Sequence, residues 1–129
     1  MIMRRYKVTV TTDASGNAVG YTPRIAGEIH QIEYVKDTAS AGANAYASGV
    51  DFTITGESTG VNLWTQSDVN ASAVVAPRQA THSQAGVASL YASGGTAVQA
   101  RVALASDRVK ISLAQGGNTK VGAFHVLVA

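Results

Sequence analysis

Three histidines, His30, His82 and His125, are the residues of this chain best suited to proton transfer or metal ligation, because imidazole titrates near neutrality and ligates through either nitrogen. Their spacing matches no local metal site. His82 stands beside Ser83, a base next to a nucleophile, yet strand neighbours point to opposite faces and a triad is made by geometry rather than adjacency. The carboxylates Asp13, Glu28, Glu33, Asp37, Asp51, Glu57, Asp68 and Asp107 are scattered over turns and strand ends. Glu28 and Glu33 are an odd number apart, so on a regular strand they face opposite sides, and paired-carboxylate hydrolysis would need tertiary proximity. Gly94-Gly95 and Gly116-Gly117 lack the flanking residues of a phosphate loop and read as turns. Trp64 and Tyr91 have rings that would stack on a sugar, but in a chain with one Trp and two Phe both read first as core. The expectation is a protein that is not an enzyme and uses no cofactor and no metal.

The elements that would position these side chains are strands. Tyr6, Val8 and Val10 alternate with Lys7, Thr9 and Thr11 over residues 4–12, and Asp13 to Asn17 supply turn residues. A short second strand is read at 18–21. Residues 25–35 carry Ile29, Ile32, Tyr34 and Val35, where the alternation slips between Ile29 and Ile32, the mark of a bulge or of a strand with both faces partly covered. Residues 37–48 are a small-residue tract too poor in bulk to bury and are read as a loop. Residues 49–55 and 61–65 flank Gly56-Glu57-Ser58-Thr59-Gly60 as a hairpin. From 77 to 84 the chain reads as an irregular connection, with Leu90-Tyr91 as the main apolar anchor of the following stretch. Residues 97–105 fit both periods and are assigned to a strand on the Val-rich pattern of their neighbours. Val109, Ile111 and Leu113, then Gly116-Gly117-Asn118, then Phe124, Val126 and Val128 read as a closing hairpin with two core rows. The fold class is therefore all-β: a single-domain antiparallel β-sandwich over residues 1–129, jelly-roll-like in its number of short strands, with an N-terminal basic arm at about 1–7.

Composition narrows the partners. The net charge is +2, only 14% of residues are charged, and there is no cysteine, so no disulfide framework or thiolate chemistry is available. Arg4, Arg5 and Lys7 form the one basic cluster, short of the basic, aromatic-laced stripe of a nucleic-acid binder. No apolar run approaches the ~18–20 residues of a membrane span, and the start of the chain lacks the apolar core of a signal peptide. The expectation is no nucleic acid, no membrane and synthesis in a cytoplasm.

Thr22-Pro23-Arg24-Ile25, the run from Gly49 to Glu57, Leu63-Trp64, Ala76-Pro77-Arg78, and Asp107 to Ile111 with the Gly-Gly-Asn turn resemble small all-β proteins of tailed bacteriophages, the capsid decoration or cement type. The resemblance spans most of the chain and rests on turn and strand patterns. It implies a virion protein on the capsid exterior, made in the host cytoplasm, that binds the major capsid protein, often as a homotrimer at local threefold positions, and reinforces the shell. Candidate contact residues are Arg4, Arg5 and Lys7 of the arm, which would pair with capsid carboxylates, and Asn44 and Tyr46 of the small-residue loop. The alternative reading is a carbohydrate- or receptor-binding sandwich on a tail or fibre, in which Trp64, Tyr91 or Tyr46 would be exposed.

Overall fold

The computed structural model describes residues 2–36 and 44–129, so most of the expected loop at 37–48 lies outside the described residues. The strands are β1 (Arg4–Thr11), β2 (Ala18–Tyr21), β3 (Ile25–Val35), β4 (Val50–Gly56), β5 (Asn62–Val69), β6 (Ala73–Val75), β7 (Arg78–Ala80), β8 (Gln99–Asp107), β9 (Val109–Ala114) and β10 (Val121–Val128). They form two antiparallel sheets, one ordered β1-β10-β3-β8-β7 with β6 also on β3, the other β2-β9-β4-β5. The partners nest: β1 pairs with β10, β2 with β9, β3 with β8 and β4 with β5. Rolling one long nested ribbon into two facing sheets is the jelly-roll arrangement, so the all-β sandwich class read from the sequence is the class observed.

The alternation of each strand decides which side chains fill the space between the sheets. Val8 and Val10 of β1, Ile29, Ile32 and Tyr34 of β3, Val50, Phe52 and Ile54 of β4, and Val102 and Leu104 of β8 all point inward and are buried. The slip in β3 is a bulge: Leu127 faces Gln31 but Val128 faces Ile29. His30 is the extra residue, and Ile29 and Ile32 both stay in the core. The core centre is aromatic, with Phe52 edge-on to Trp64 at 4.9 Å and to Phe124 at 5.4 Å, and Tyr34 against Phe124 at 5.2 Å.

The closing hairpin is not present. β9 and β10 lie in different sheets, and their two apolar rows face each other across the core instead of pairing side by side. The connection at 115–120 does not close on itself because its backbone bonds to the β1–β2 loop. Thr12 donates to Lys120 at 2.8 Å, Gly116 to Gly16 at 2.9 Å and Thr119 to Asp13 at 3.1 Å. The buried Thr12 hydroxyl donates to the Gly117 carbonyl at 2.6 Å and accepts from the Lys120 amide at 2.8 Å. Two sheet-to-sheet crossings are thereby knitted at one end of the sandwich.

Candidate interaction surface

The basic residues at the start of the chain belong to a strand, not to a free arm. Arg4 is opposite Val128, Arg5 opposite Leu127 and Lys7 opposite His125; all three are exposed. With Val8 and Val10 inward, Arg5 and Lys7 share the outer face of the sheet. Arg5 donates to Glu33 at 2.9 Å. Lys7, His125, Glu33 and Val74 make one cross-strand row over β1, β10, β3 and β6. Burial and the nearby Arg5 and Lys7 cations depress the His125 pKa against the opposing pull of Glu33.

Asn44 is exposed. Tyr46 is the correction: it is 2% exposed and belongs to the core, so its side chain does not reach a partner. Its ring lies 6.1 Å from that of Tyr34 and over Gly122, where an added methyl would fall 2.2 Å from Cε2. Its hydroxyl donates to the Val10 carbonyl, and burial raises its pKa. A tyrosine in a tract of Ala, Ser and Gly looks exposed in sequence because the cleft at Gly122 that receives it is 76 positions away.

The opposite error concerns Leu90 and Tyr91, which anchor nothing: they are 43% and 76% exposed. Trp64, by contrast, is buried as expected. Leu90 and Tyr91 lie on an arm over residues 77–101, in which Pro77 is the one buried residue. β7 pairs only with the start of β8, Arg78 facing Arg101, Gln79 facing Ala100 and Ala80 facing Gln99. Beyond that ladder the chain folds back twice. Ser83 donates to Val87 at 2.9 Å across one turn, Tyr91 to Thr96 at 3.0 Å across the other, and Ser89 and Val98 tie the middle to Thr81. The arm is thus held by backbone hydrogen bonds with no core of its own, and it carries Val87, 66% exposed, beside Leu90 and Tyr91. Val74, 58% exposed, stands just before its root. The readable signal was the scarcity of bulk from 76 to 101, where Val87, Leu90, Tyr91 and Val98 are the only large apolar residues.

Elsewhere two acids are committed within the fold. Arg108 pairs with Glu57 and sits 4.1 Å over the Tyr21 ring; its hydrogen bond holds the Glu57 carboxyl below its usual range. Asp107 is buried and accepts the Ser58 amide at 3.0 Å and the Arg108 amide at 2.7 Å. Burial pushes its carboxyl up, but these hydrogen bonds, with Arg24 nearby, outweigh it and leave the pKa lowered. Among the described residues no three His, Cys, Asp or Glu side chains are grouped to hold a metal ion, and no helix is long and apolar enough to cross a membrane. No family model, curated protein or solved structure matches this chain.

Proposed function

We propose that this chain is a non-enzymatic structural protein of a tailed-bacteriophage virion that decorates the capsid shell from outside and reinforces it. The observation that carries the reading is the arm at 77–101, exposed nearly throughout and bearing Val87, Leu90 and Tyr91 in water. Large apolar side chains left exposed on one segment that has no core of its own point to that segment as an interaction surface. The resemblance to decoration proteins supplies the partner, the major capsid protein, and a homotrimeric arrangement at local threefold positions. Jelly rolls also serve in viral shells, which agrees with this reading by analogy only, since fold does not fix function. The mechanism needs no bond chemistry: contacts to several capsomers at once convert individually weak interfaces into firm attachment.

The test is the copy number in purified particles. Quantitative mass spectrometry is expected to find the chain in hundreds of copies per particle; a handful of copies, or none, refutes the decoration role. One observation favours a second reading, a tail- or fibre-associated carbohydrate- or receptor-binding sandwich: Tyr91 offers an exposed ring, and lectins share the jelly roll. Trp64 and Tyr46, the other rings that reading would use, are buried. Glycan binding abolished by Tyr91→Ser would favour it over decoration.

A further inference from the structure

The arm joins two features that nothing among the described residues accounts for. At its root, Arg78 and Arg101 are directly opposite one another on an antiparallel pair. Residues in that position project from the same face with Cβ atoms about 4.5–5.5 Å apart, where like charges oppose each other. Both are exposed. The Arg78 guanidinium donates to the carbonyl of its neighbour Pro77 at 2.7 Å, and the Arg101 guanidinium has no hydrogen bond or ion pair among the described residues. They are also the only charged residues between Asp68 and Asp107, so the arm carries no acid to balance them. Beyond the root, the side chains of Val87, Leu90 and Tyr91 are left exposed by the described residues.

We infer that the arm is a docking finger for an acidic protein surface. Tyr91, the most exposed of these side chains, enters an apolar recess, and carboxylates on its rim pair with the Arg78 and Arg101 guanidiniums. Guanidinium forks match carboxylates bidentately, and a carboxylate set between two arginines turns their mutual repulsion into attraction. Tyrosine and arginine are also the side chains that dominate interface energetics. A second copy of this chain is a poor occupant, because its acids are largely used internally. Glu33 pairs with Arg5, Glu57 with Arg108, Asp13 caps its own turn, Asp51 accepts the Asp68 amide, and Asp107 is buried. Nucleic acid is disfavoured by the same count, since two cations beside an apolar tip fall short of a phosphate-tracking stripe. The partner's identity as the capsid shell rests on the decoration reading; the division of the arm into a cationic root and an apolar tip does not.

The experiment uses the intact chain and particles of the virus that encodes it, stripped of the protein and then titrated with wild type, Arg78→Gln/Arg101→Gln, Arg101→Glu and Tyr91→Ser. Wild type is expected to rebind. Arg101→Glu and Tyr91→Ser each lose about tenfold or more in affinity, as expected for removing a central interface side chain. The double glutamine variant also loses much of the salt dependence. Thermal melts keep the test clean: the root variants remove a like-charge opposition and the tip variant touches no core residue, so none lowers the melting temperature. Wild-type rebinding that every arm variant matches overturns the finger and leaves decoration standing. Failure of wild type to bind particles overturns both the shell as partner and the decoration reading. Wild-type binding to duplex DNA, or to vesicles of one part phosphatidylglycerol to three parts phosphatidylcholine, that the arm variants abolish overturns the protein surface as the target.

Discussion

Gly122→Ala tests whether Tyr46 is a core residue. An alanine methyl at position 122 would lie 2.2 Å from Tyr46 Cε2, 2.7 Å from Cζ and 2.8 Å from Cδ2, whereas carbons in contact rest about 3.5–4.0 Å apart. The ring must retreat by more than about 1 Å, and it is boxed in. Tyr34 stacks at 6.1 Å, and the hydroxyl is tied to the Val10 carbonyl. Overpacking of this kind costs about 1–3 kcal/mol, and breaking the hydrogen bond while leaving the carbonyl buried adds about 1–3 kcal/mol. The expected total is about 2–6 kcal/mol, a large share of the ~5–15 kcal/mol that holds a domain folded. At roughly 4 °C per kcal/mol for a chain of this size, the melting temperature falls by roughly 8–24 °C. Urea denaturation of Gly122→Ala, Tyr46→Ala and the double variant supplies the decisive comparison. With the ring gone the methyl has room, so the double variant is no less stable than Tyr46→Ala, giving a coupling as large as the Gly122→Ala cost itself, about 2–6 kcal/mol. Gly60→Ala, where nothing lies within 4 Å but φ is +71°, sets the backbone-only cost of about 1–2 kcal/mol. Additive losses, or a Gly122→Ala cost below that of Gly60→Ala, would show that Tyr46 does not occupy this cleft and would restore it as a surface contact.

Two further outcomes follow from the buried side chains. Asp107 has a lowered pKa in the folded state, so its contribution is complete above the unfolded value near 3.9 and is lost as pH falls through the folded value. Asp107→Asn is therefore less stable than wild type at pH 7, and the gap between them in urea midpoint narrows below about pH 4; a gap that widens in acid contradicts the sign. Trp64 is the single tryptophan and is 8% exposed against Phe52. Its fluorescence is expected to be blue-shifted and protected from acrylamide until the domain unfolds, and quenching as efficient as that of free tryptophan would overturn its place in the core.

The sequence was most legible where local rules decide. Val50, Phe52 and Ile54 alternate, and Gly56 to Gly60 turns the chain, so β4 and β5 pair as their residues demand. The same held for the bulge at His30, because a one-residue slip must be absorbed somewhere if Ile29 and Ile32 are both to stay inside. Pairing partners were less legible. Alternation around Gly116-Gly117 describes two strands, but it is silent on whether they lie side by side or face each other. The choice was made by hydrogen bonds to Thr12, Asp13 and Gly16, about a hundred positions away. The interaction surface was misjudged in both directions for one reason. A bulky residue in a small-residue tract is buried or exposed according to whether a distant cleft awaits it. Gly122 provides one for Tyr46; nothing in the sandwich provides one for Tyr91.

The nested pairing has a consequence for how the molecule comes into being. β10 lies between β1 and β3, so the two earliest long strands have no shared neighbour until the latest one has been made. Chains dominated by such distant pairings fold slowly, and β1 and β3 wait on the ribosome with open edges that invite association with other chains. Removing β10 would not trim the domain but would unmake one of its two sheets. Native structure of this sheet is therefore expected to arrive in a single step once β10 has been made.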